Sequence, residues 1–203
     1  MKKLIGIIVL VVLLFSCTIS CYAEQPSLRN GIWFGDTKEE VESKETSTPK
    51  KGAFLSAYEG KVGNYTALIS YFYDKNNKLT DIIYNFMEFR KDNISEEALF
   101  NLLDETITAK YGDKLDIRKG ETHVFVGKGI EQAVYEVKDT GNSQVEKYNE
   151  WLYMLDTGAM KIDLVKYYLG MFKIYRVMLS YSYVSPEQLQ KIEDNVNSLS
   201  NDL

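Results

Sequence analysis

From Phe172 to Tyr183 the chain alternates with a period of two: Tyr175, Val177, Leu179, Tyr181 and Tyr183 on one side, Arg176, Met178, Ser180 and Ser182 on the other. Alternation of this kind sets one face of a strand against a core. Further runs rich in β-branched and aromatic residues predict strands over Ala53 to Glu59, Tyr65 to Asp74, Leu79 to Glu88, Thr122 to Val126, Ala133 to Val137, Lys147 to Asp156 and Met160 to Tyr168. Lys75-Asn76-Asn77-Lys78 joins two of these runs as a hairpin turn, because asparagine tolerates the left-handed backbone that tight turns require. Beyond that turn Ile82, Tyr84 and Phe86 share one face, with Asp81 and Asn85 on the other.

Three segments carry helical signals instead. Thr37 with Glu40 three residues on is a capping box, and the acidic stretch Asp36 to Glu42 suits the positive end of a helix dipole. That pattern ends by Glu45, and Thr46 to Gly52 reads as a loop. From Ser95, residues Leu99, Leu102, Leu103 and Ile107 make an apolar stripe that stops at Gly112. A terminal helix starts at Ser185-Pro186, with Leu189, Ile192 and Val196 along one side. Helix then strands, twice over, predicts an α+β fold: an antiparallel sheet with helices packed on one face, built from two tandem α-β-β-β units over 31–90 and 93–200.

The first 23 residues stand apart from this pattern. Lys2 and Lys3 precede the apolar run Leu4 to Phe15, which is far shorter than the ~20 residues of a membrane-spanning helix, and small residues follow. The layout is that of a signal peptide over 1–23, leaving 24–203 as one exported domain. Two processing routes fit: cleavage after Ala23, giving a secreted protein, or lipidation at Cys17, since Leu14-Phe15-Ser16-Cys17 resembles the bacterial lipobox, from which Phe15 departs. Cys17 and Cys21 are the only cysteines, so the domain folds without a disulfide. Roughly 180 residues suffice for an ordinary core. With 29 acidic against 24 basic side chains, and no dense basic cluster, the charge argues against nucleic acid.

Gly31-Ile32-Trp33-Phe34-Gly35-Asp36-Thr37-Lys38-Glu39-Glu40-Val41 resembles the opening of small exported bacterial domains of the outer-membrane-assembly lipoprotein and β-lactamase-inhibitor-protein type. Phe72-Tyr73-Asp74 through Leu79 is similar to the strand and turn that follow in that group. Lys110-Tyr111-Gly112-Asp113 and Trp151 look like the second half of uncharacterised exported proteins from Gram-positive anaerobes. The resemblance implies an α+β fold whose relatives bind proteins rather than transform substrates. It carries over no binding residues, and the cysteine-free domain departs from the disulfide-bearing inhibitors.

Candidate chemistry is sparse. His123 is the sole histidine and lacks a thiol partner or a G-x-S-x-G elbow. One histidine and no exported cysteine leave no transition-metal set, and Asp74 to Leu79 has Lys78 at the fifth position of a would-be calcium loop and no glycine at the sixth, so it reads as a turn. Gly127-Lys128-Gly129 lacks the rest of a phosphate or dinucleotide loop. No cofactor is implied. The uncharged run Tyr167-Tyr168-Leu169-Gly170-Met171-Phe172 connects two strands where polar residues are usual, which marks Tyr168, Leu169, Met171 and Phe172 as candidate partner-binding residues.

These features predict a non-catalytic protein-binding or scaffolding module of the cell envelope or extracellular space, touching a membrane only through an acylated Cys17. The alternative is a carboxylate-based hydrolase, whose acidic residues would have to be brought together by folding.

Overall fold

A computed structural model of the chain describes residues 27–50, 56–86, 92–114 and 143–191. Its path begins with a tight reversal. Asn30 and Gly31 both adopt positive φ, 49° and 74°, and bring Arg29 opposite Ile32. Ile32 enters the core, and the Gly35 N–H and Asp36 carbonyl then bond to Leu79, tying the opening motif to a distant strand.

The helix α1 (Lys38–Lys44) is capped as expected: Thr37 accepts from the Glu40 N–H, and the Glu40 carboxylate accepts from the Thr37 N–H. A two-residue strand β1 (Thr48–Pro49) interrupts the predicted loop, and β2 (Ser56–Val62), β3 (Tyr65–Tyr73) and β4 (Leu79–Phe86) follow as a meander. The turn before β4 works as the sequence suggests. Asp74 accepts from the Asn76 and Lys78 N–H groups, and Asn77 takes φ 61°.

Ser95 caps α2 (Glu96–Tyr111), and Gly112, at φ 90°, ends it. The chain then reaches β5 (Gln144–Leu155), β6 (Gly158–Leu169) and β7 (Ile174–Val184). The seven strands form one antiparallel sheet in the order β1-β2-β3-β4-β7-β6-β5. The last strands of the two units, β4 and β7, therefore lie side by side as the seam, from Asp81↔Ser182 to Phe86↔Val177.

Alternation decides which side chains meet. Ile82, Tyr84, Val177, Leu179, Ile162 and Trp151 point to the face covered by α1 and α2, where Val41, Leu99, Leu103 and Ile107 close one continuous core. Within that core Tyr71 donates to the Glu45 carboxylate, and Arg29 holds the same carboxylate at 2.9 Å while reaching Ser47 at 2.8 Å.

The other face is covered as well. Asp81, Asn85, Lys161, Asp163, Ser180 and Ser182 alternate onto it and are all buried. The C-terminal turn at 186–191, capped by Ser185, contributes to this cover, for Leu189 packs with Leu152 on Ala159 and Val184. The helices α1 and α2 lie on one face, as expected, while the 186–191 turn reaches the other through Leu189. The predicted strands Thr122 to Val126 and Ala133 to Val137, His123, Gly127 to Gly129, and the leader with Cys17 and Ala23 lie outside the described residues.

Candidate functional site

The run singled out between β6 and β7 divides at Gly170. Leu169 is buried in a small cluster with Tyr167, Val165 and Met178 on the second face, so it supports the sheet rather than offering a contact. Tyr168 is half-buried and stacks its ring 5.0 Å from that of Tyr175. Met171 and Phe172 alone stand out from the tip, 67% and 59% exposed. Phe172 lies in the turn rather than at the start of β7, because its N–H donates back to the Leu169 carbonyl and Lys173 adopts φ 50°. The Gly170 N–H donates to Ser143, fastening the turn to the approach to β5.

Sequence reasoning missed the edge made by β5. This strand pairs with β6 from Gln144↔Tyr168 to Leu155↔Gly158, and its outer edge pairs with no described strand. Val145 and Met154, 43% and 63% exposed, flank that edge on the face away from α2. A register shift between Val145 and Lys147, together with the charge of Lys147, breaks the regularity of the first rungs. The stretch from Asn149 to Leu155 is left as the regular part.

Sequence reasoning also missed an internal ion cluster. Glu150 and Asp163 face each other across β5 and β6, Lys161 lies 3.1 Å from both, and the Tyr148 hydroxyl sits between them within hydrogen-bond reach of each, with one proton to give. Ser180 bonds Asp163 from β7 at 3.4 Å. Burial pushes the Asp163 carboxyl up to about 6, against the pull of Lys161 and Tyr148. Two carboxylates therefore converge, yet Asp163 and Lys161 are 0% and 2% exposed, and the polar atoms of the group bond one another. The signal was Lys161-Ile162-Asp163, two opposite charges on one face of an apolar strand.

The acidic stretch of α1 does structural work. Asp36 accepts from the Trp33 N–H and from Lys44, Glu40 caps, and Glu42 pairs with Lys38. At the far end of the seam a cleft of about 260 Å³ is walled by Phe34, Leu79, Leu155 and Tyr183, so the Gly31 to Gly35 motif shapes both core and surface. Among the described residues no group of three metal-ligating side chains comes together. Neither protein families nor curated proteins match the sequence, and no solved structure matches the fold.

Proposed function

We propose that this chain is a non-catalytic protein-binding or scaffolding module exported to the cell envelope or extracellular space, and that it takes an extended segment of a protein partner along β5. The carrying observation is the outer edge of β5, flanked by exposed Val145 and Met154. An open edge offers a row of backbone donors and acceptors, and neighbouring apolar side chains supply the pockets that make strand addition selective. The leader and the resemblance of Gly31 to Val41 to exported protein-binding domains support the same reading.

The test is capture from surface and secreted fractions of the producing organism, comparing the parent chain with Met154→Lys. Partner binding weakens at least tenfold, about 1.4 kcal/mol, when a charge is set beside the edge. Equal capture by the variant would exclude β5 as the contact.

A carboxylate-based hydrolase has the Glu150 and Asp163 pair in its favour, with Asp163 held near a pKa useful for proton transfer. The binding reading is preferred because Asp163 is sealed from solvent and Lys161, itself buried, bridges it to Glu150.

A further inference from the structure

The tip of the β6–β7 hairpin carries an inference that does not depend on the β5 edge. We propose that this tip docks on a lipid bilayer with anionic headgroups, Met171 and Phe172 entering the interface while Lys173 and Arg176 meet the phosphates.

Reach comes first. Among the described residues the last seam rung is Phe86↔Val177, and Ile174 to Arg176 with the turn before them continue beyond it, paired with β6. Two adjacent apolar side chains occupy the outermost position, 67% and 59% exposed, on a hairpin held in unbroken register from Ala159↔Val184 to Leu169↔Ile174. A rigid finger with an apolar end enters an interface at little conformational cost.

Charge distinguishes a headgroup layer from a protein pocket. The neighbouring cations Lys147 and Lys166 are engaged by Glu97 and Glu146. Lys173 and Arg176 form no ion pair among the described residues, so the tip is positive in a chain whose formal net charge is −5. Cations with no ion-pair partner among the described residues, just behind an apolar end, match the order of acyl chain and phosphate met on approaching a bilayer. Tyr168 and Tyr175, stacked at 5.0 Å on the next rung, add amphipathic rings at the depth where tyrosine concentrates in membrane proteins.

The experiment uses the full chain carrying Phe172→Trp. The leader contains no tryptophan, while Trp33 and Trp151 lie in the opening loop and the core, so tip emission is separable from any binding by the leader. Vesicles of phosphatidylcholine with phosphatidylglycerol shift the added emission to the blue, and lipids brominated in the acyl chain quench it. Vesicles of phosphatidylcholine alone do so far less. Lys173→Glu and Arg176→Glu each weaken the response about fivefold at low salt, and added salt weakens it in the parent. An emission at position 172 that vesicles leave unchanged, while the urea midpoint matches the parent, would overturn the proposal. So would a shift produced only by an added envelope protein fraction, which would make the tip a protein contact.

Discussion

Glu45 is a carboxyl on which burial and hydrogen bonding pull in opposite directions. Burial pushes its pKa up, but Arg29, Tyr71 and Ser47 all donate to it and bring it down to about 2, below the ordinary 4.5. A depressed folded value means that the stabilisation is fully present above pH 4.5 and is lost as pH falls towards 2. Glu45→Gln is therefore expected to cost about 3 kcal/mol at pH 7 in urea denaturation, and the gap to the parent closes between about pH 5 and pH 2. Asp163 has the opposite sign. Burial raises it to about 6 from 3.8, so the folded state holds the proton more tightly, and stability declines as pH rises through that range. Relative to Asp163→Asn, the parent should lose about 2 kcal/mol between pH 4 and pH 7, read from the same denaturation series. A parent-to-variant difference independent of pH would exclude this placement of the carboxyl. The sequence could not disclose either network. Alternation assigns Asp81, Asn85, Ser180 and Ser182 to one face correctly, but only the packing of a second cover shows that this face is buried.

At the scale of elements, local chemistry was legible wherever it is local. The capping box at Thr37, the Ser95 cap, the Gly112 stop and the Asp74 turn all depend on residues within four positions, and all form as the sequence implies. Thr37→Ala should remove about 1 kcal/mol, measured by urea titration, since the Glu40 N–H loses its acceptor. The turn between β5 and β6 was less legible. Gly158 sits at φ 142°, and a Cβ there would run into the Val184 carbonyl, so both backbone angle and space exclude a side chain. Gly158→Ala is expected to cost about 2 kcal/mol or more, whereas Gly63→Ala, at φ 58° with open space around it, costs about 1 kcal/mol. Comparable losses at the two sites would mean that the close approach of β7 to this turn is wrong.

The seam between β4 and β7 joins residues a hundred positions apart, so no short-range signal reports it; the repeated order of helix then strands implies two units but not how they meet. Their union makes one core. Tyr84 and Tyr181 stack edge to face across the seam at 6.0 Å, and one apolar cluster runs from Val41 of the first unit to Trp151 of the second. The chain should therefore unfold as a single cooperative unit. Trp33→Phe and Trp151→Phe variants, each leaving one tryptophan as reporter of one unit, should give urea transitions of the same shape with the same offset from circular dichroism; separated transitions would show two independent halves. The binding reading rests on this continuity, because it places β5 at the outer edge of the sheet formed by the described residues. The most direct measurement sets a photo-activatable phenylalanine analogue at Met154, beside that edge, and at Asn101 on the exposed side of α2, in the producing cells. The account predicts a discrete protein adduct from position 154 and none from 101; silence at 154, or an adduct from 101 alone, would contradict it.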